Sequence, residues 1–106
     1  MSSTTVYFEQ KKKIKSSLTL PTWLYNLLFV VMGGDEKETR KVIKRLALQG
    51  TALHVENVSQ FVQQELIMAL LGIAEQIVSG EMEADAHTTS LLLEFASAIL
   101  PAKAVA

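Results

Sequence analysis

Residues 13–21, Lys-Ile-Lys-Ser-Ser-Leu-Thr-Leu-Pro, constrain this chain more than any other stretch. Ile14, Leu18 and Leu20 share one parity, with small Ser16 between them, while Lys13, Lys15, Ser17 and Thr19 share the other. Side chains alternate across a strand, so the pattern predicts a ribbon with one apolar face and one cationic, hydroxyl-bearing face. A lone strand leaves its N–H and C=O edges unpaired and has too little area to be stable. No second strand of similar quality follows it. The simplest partner is therefore the same strand of a second copy, which would set two rows of Lys, Ser and Thr side by side.

At 106 residues, 49% of them hydrophobic and 20% charged, the chain is long enough for one small domain with its own core. A domain of this size buries a modest share of its surface, so oligomerisation is expected. Cysteine is absent, which removes disulfides and thiolate zinc sites and fits a reducing, cytoplasmic setting. The formal net charge of −1 hides a split. Residues 1–50 hold nine of the ten Lys and Arg against four acids, a balance of +5, and residues 51–106 hold Lys103 against seven acids, a balance of −6. A basic half beside an acidic half points to nucleic acid or another anionic partner for the basic half. The apolar run 18–32 that follows the lysines is broken by Thr19, Pro21, Thr22 and Asn26 and is too short to span a bilayer, so no membrane segment is expected there.

Taken in order, residues 1–12 predict a flexible basic arm, with a short extended piece as the alternative around Val6, Tyr7 and Phe8. Pro21 suits a helix start, and a first helix is expected over 22–32, closed by Gly33 and Gly34. Leu24, Leu28 and Val31 form its inward stripe, and the helix is apolar on its other faces too. Thr39 is the expected N-cap of a second helix with Val42, Ile43, Leu46 and Ala47 buried, ending at Gly50. Asn57 followed by Gln60 opens a long third helix to about residue 79, its seam formed by Val62, Leu66, Ala69 or Leu70, Ile73 and Ile77. An acidic turn over 80–86 leads to a last amphipathic helix over 88–100.

The order of strand, helix, glycine turn and hydroxyl-capped helix over residues 13–50 resembles the ribbon–helix–helix DNA-binding family of the Arc and methionine repressors. The resemblance rests on Lys15, Ser17 and Thr19 alternating with Leu18 and Leu20, then on Pro21, Leu24, Leu28, Val31, Gly33 and Thr39. It implies a mainly α fold: a dimer joined by one short intermolecular antiparallel strand, two helices per chain, and here a C-terminal helical hairpin. It further implies that Lys13, Lys15, Ser17 and Thr19 meet base edges in the major groove, where lysine and hydroxyl groups can read the donor and acceptor pattern. The start of the second helix, at Thr39, Arg40 and Lys41, would hold a backbone phosphate. Three features depart from the family pattern: Ser16 at an inward position, Asp35, Glu36 and Glu38 beside the phosphate site, and the apolar outer face of the first helix.

The expected function is that of a sequence-specific DNA-binding homodimer, a transcriptional regulator or repressor or a plasmid or conjugation accessory protein. Residues 51–106 would form an acidic helical module for oligomerisation or for a protein partner, and would cover the outer face of the first helix. The competing expectation is a helical adaptor or secretion-type chaperone without a nucleic-acid role. No enzyme signature, cofactor motif or metal site is evident: His54 and His87 lack the spacing of a metal pair, and Glu81, Glu83 and Asp85 lack the pattern of a calcium loop.

Overall fold

The computed structural model describes residues 2–10 and 15–99. Two strands, β1 (Ser3–Glu9) and β2 (Lys15–Pro21), precede four helices: α1 (Thr22–Val31), α2 (Glu36–Ala52), α3 (Val58–Val78) and α4 (Ala86–Ile99). The chain is thus mainly helical with one two-stranded antiparallel sheet. It divides into two compact units, Met1–Ile67 and Met68–Ala106, with the boundary inside α3.

The first correction concerns the arm expected over residues 1–12, of which 1, 11 and 12 lie outside the described residues. Ser3–Glu9 is a strand rather than a flexible arm, and it pairs with β2 from Ser3 opposite Pro21 to Glu9 opposite Lys15. The strand's partner lies in its own chain. The physical reason is the same alternation that marks β2: Val6 and Phe8 are buried while Thr5, Tyr7 and Glu9 are exposed. Opposite them Leu18 and Leu20 are buried and Lys15, Ser17 and Thr19 exposed. A two-stranded hairpin is marginal alone in water, and here both inward rows join a core with Leu24, Leu27 and Leu28 of α1 and Ile43 and Ala47 of α2. Ser16, the odd residue on the inward side, stands directly opposite Phe8. Its hydroxyl accepts a hydrogen bond from Gln10 Nε2 at 2.6 Å.

Pro21 is the N-cap of α1, one position before the first turn. The helix ends where Gly33 and Gly34 both take positive φ, 76° and 77°, and their N–H groups return to the Val30 and Phe29 carbonyls. Leu27 joins Leu24 and Leu28 inside, while Val31 is half-buried.

The second correction concerns α2. It starts at Glu36, four residues earlier than a Thr39 cap would place it, because Asp35 caps it: the Glu38 N–H donates to Asp35 Oδ1 at 3.1 Å. Thr39 lies inside the helix, fully buried, its hydroxyl donating to the Asp35 carbonyl at 2.7 Å. Gly50 does not end α2 either. It lies in the last turn, and the helix stops at Leu53 with His54 in the left-handed region at φ 58°. Gly50 is needed for another reason, since a Cβ there would sit 2.8 Å from the Phe61 ring and 3.3 Å from Val55.

Asn57 caps α3 as expected, its Oδ1 accepting from the Gln60 N–H at 3.0 Å. Val62 and Leu66 are buried in the first unit; Leu70, not Ala69, continues the seam in the second. There α4 buries Leu92 and Phe95. It begins two residues before the expected start because Asp85 caps it, accepting from the Thr88 N–H at 2.7 Å.

Two glycines provide a test of packing. Gly50→Ala gains up to roughly 1 kcal/mol of helix propensity but overfills the contact with Phe61, at a cost of about 1–3 kcal/mol. Its melting temperature should fall. Gly72→Ala, where nothing lies within 4 Å of the added methyl group, should raise it. Thermal unfolding of both variants checks the pair of opposite signs.

A second test is electrostatic. The hydrogen bond from the Thr88 N–H holds the Asp85 carboxyl below the usual carboxylate range. A depressed folded-state value means that the contribution is present above the unfolded value and is lost as pH falls through the folded one. Asp85→Asn should therefore flatten the acid limb of the stability-against-pH curve below about pH 4, measured by circular dichroism melts.

Candidate nucleic-acid interface

Because both strands obey the same alternation, the outer side of the hairpin is polar across its whole width. Cross-strand neighbours there are Thr5 with Thr19, Tyr7 with Ser17, and Glu9 with Lys15. Tyr7 is 69% exposed and projects from the middle of this face. Three of the residues expected to read bases, Lys15, Ser17 and Thr19, are thus brought together on one exposed face. The fourth, Lys13, lies outside the described residues. Thr5 and Tyr7 were missed. Their signal was present in the Thr-Thr-Val-Tyr-Phe run, whose β-branched and aromatic residues alternate as a strand does.

The phosphate site expected at Thr39, Arg40 and Lys41 does not form as described. The N–H groups that open α2 belong to residues 36–38, that of Glu38 is already taken by Asp35 Oδ1, and the first turn carries Glu36 and Glu38 with Asp35 as cap. Those carboxylates already complement the positive end of the helix dipole. Thr39 is buried, and Arg40 pairs with Glu36 at 3.2 Å. This half-exposed pair contributes only a few tenths of a kcal/mol.

The cations are arranged along α2 instead. Lys37, Lys41 and Lys44 follow at i, i+4 and i+7, all exposed, with Arg45 beside them and the buried Thr39, Ile43 and Ala47 on the opposite side. Lys44 also reaches the hairpin: with Tyr7, Phe8, Glu9 and Lys15 it lines an open hollow of about 410 Å³. Two lysines, the Glu9 carboxylate and an exposed aromatic ring therefore border one hollow beside the hairpin.

One edge of β2 is occupied. The Thr19 N–H donates to Ser59 Oγ of α3 at 3.0 Å, and Gln63 Nε2 approaches the Thr19 carbonyl at 3.4 Å. Both belong to the same unit as the hairpin.

Among the described residues no group of three or more His, Cys, Asp or Glu is placed to hold a metal ion. His54 has a structural role at the end of α2, where its N–H returns to the Thr51 carbonyl at 3.1 Å. His87 is exposed in the first turn of α4. One helix among the described residues, α3, is long and apolar enough to cross a membrane, and 22% of its most apolar window is buried within the chain. In the second unit Leu71, Ala74, Val78, Leu93 and Ala96 line an apolar groove of about 230 Å³, with Glu75 and Ser79 at its side.

Comparison with protein-family profiles, with characterised proteins and with solved structures finds no match to this chain.

The two parities of the hairpin should respond differently to truncation. Leu18, 2% exposed, should cost about 2–5 kcal/mol on replacement by Ala. Ser17→Ala, one position away on the outer face, should stay within about 0.5 kcal/mol of the parent. Chemical denaturation of the two variants checks the orientation of the strand.

Proposed function

We propose that this protein binds double-stranded DNA by laying the outer face of the β1–β2 hairpin in the major groove. The observation that carries this reading is a two-stranded antiparallel ribbon whose outer face presents Thr5, Tyr7, Lys15, Ser17 and Thr19 to solvent. The major groove is wide enough for a two-stranded ribbon, and hydroxyl and ammonium groups can pair with base edges there. Lys41 and Lys44, with the other cations of α2, supply phosphate contacts, which fix orientation without reading sequence.

The ribbon–helix–helix arrangement draws its two reading strands from two chains. In this structure one chain supplies both, and the remaining edge of β2 is engaged at Thr19 by Ser59. We therefore assign reading to the intrachain hairpin and homodimerisation to the C-terminal unit. There Val78 is 71% and Leu93 41% exposed beside the small Ala74 and Ala96, so a second copy can insert a large side chain where this one leaves a groove. Glu81, Glu83 and Asp85 cluster in the α3–α4 turn, and an antiparallel pairing of two hairpins keeps these acids at opposite ends. A regulator, repressor or plasmid accessory protein acting in the cytoplasm on a two-fold symmetric operator is the role this arrangement serves.

The same exposed apolar residues favour a second reading, a helical adaptor whose C-terminal unit binds a different protein and whose hairpin touches no DNA. Salt decides between them. Phosphate neutralisation releases counterions, so DNA affinity should fall steeply with ionic strength, and Lys41→Ala or Lys44→Ala should each lower the slope of log affinity against log salt by about one. Fluorescence anisotropy on a labelled duplex between low and physiological salt gives the slopes. Absence of binding at low salt would leave the adaptor.

A further inference from the structure

The contact between α3 and the edge of β2 falls on a single residue, and that residue is one of the proposed readers. The Thr19 N–H turns away from β1 and donates to Ser59 Oγ at 3.0 Å, while Gln63, one turn further along α3, brings Nε2 to 3.4 Å from the Thr19 carbonyl. The two side chains thus stand where a neighbouring strand would place its carbonyl and N–H. Ser59 is free to do so because Asn57 already caps α3 through the Gln60 N–H. Among the described residues, the backbones of Lys15 and Ser17 on the same edge have no comparable tether. The neighbouring edge position, Pro21, has no N–H to offer.

We infer that Ser59 and Gln63 are positioning residues for Thr19: they hold its peptide unit from the edge so that its side chain stays fixed on the outer face. The inference rests on the reading of that face as the DNA-contacting surface. It has a physical basis in the sensitivity of base discrimination to geometry. A hydroxyl distinguishes bases only if its position relative to the groove is set, since a bond that can swing accepts more than one partner. In an isolated two-stranded hairpin the outer edge frays, and one firm hydrogen bond per edge residue removes that freedom. The same pair of side chains also blocks addition of a further strand at this point, as edge strands commonly require. The partner surface is accordingly a duplex read by a pre-set Thr19, and α3, distant in sequence from the hairpin, takes part in specificity without touching DNA.

The test is a base-by-base binding profile of the full chain, taken from a randomised duplex library, for the parent and for Thr19→Ala, Ser17→Ala, Ser59→Ala, Ser59→Thr and Gln63→Ala. Thr19→Ala should lower discrimination at one base position by about tenfold, within the range of a good direct contact. Ser59→Ala should lower discrimination at that same position, the double variant Thr19→Ala/Ser59→Ala should go no further than either, and Ser59→Thr, which keeps the hydroxyl, should restore it. Gln63→Ala should act in the same direction more weakly, in line with its longer contact. Ser17→Ala should change a different position. Amide exchange at Thr19 should accelerate in Ser59→Ala and return to the parent rate in Ser59→Thr. A profile unchanged at the Thr19 position in both Ser59→Ala and Gln63→Ala, or a uniform loss across all positions, overturns the positioning role. If Thr19→Ala itself alters no position while the duplex is still bound, the hairpin face is not the reader, and the underlying reading fails before the role of Ser59 arises.

Discussion

The pairing of β1 with β2 is the constraint on which the first unit depends. Each strand alone offers one apolar row and two unsatisfied edges. Together they form a sheet whose inner side, Val6, Phe8, Leu18 and Leu20, is almost fully removed from water. Burial of each such side chain contributes roughly 1.5–3 kcal/mol, and those contributions are realised only because α1 and α2 supply Leu24, Leu27, Leu28, Ile43 and Ala47 to the same core. A one-residue slip would turn Lys15 and Thr19 inward and expose both leucines, so register and outer-face composition are one decision. The polar outer face is thus a consequence of the core.

The charges follow from the same core. α2 must bury Thr39, Ile43, Ala47 and Gly50, and this places Lys37, Lys41, Lys44 and Arg45 on the opposite side. The carboxylates gathered at its start, Asp35, Glu36 and Glu38, occupy the favourable end of the dipole and shift the cationic surface from the helix tip to the helix flank. A duplex would be met by a row of lysines along α2, with Lys44 joining Lys15 and Tyr7 at one end of the hairpin. The site proposed here is accordingly an extended surface rather than a pocket, as expected where phosphates position and base edges specify.

The C-terminal unit has a different balance. Among the described residues, its two helices, linked by an acidic turn, bury Leu70, Ala74, Leu92 and Phe95 and leave a second apolar stripe in contact with water. α3 is apolar enough that much of its apolar surface lies outside the core of its own chain. The turn that follows α3 carries Glu81, Glu83 and Asp85.

The sequence by itself determined several elements that follow from a local period or a local cap: the alternation of β2, the helix closed by Gly33 and Gly34, the Asn57 cap of α3, and the inward Ile43 and Ala47. It placed Lys15, Ser17 and Thr19 on one face before any fold was available. Tertiary structure decided what local pattern leaves open. Which strand pairs with β2 depends on tertiary packing, and β1 is legible only as a short extended piece around residues 6–8, because its Ser and Thr residues also suit a flexible arm. Asp35 and Thr39 are both good caps by composition. Burial chose between them, since Thr39 faces the core and its hydroxyl is satisfied by the Asp35 carbonyl. Gly50 has the composition of a helix stop, yet it is held inside α2 by the close approach of Phe61, a residue of the next helix. The tether of Thr19 to Ser59 joins residues forty positions apart. No local rule reaches that far, because a hydrogen bond between a strand edge and a helix side chain exists only after both have been packed into one core.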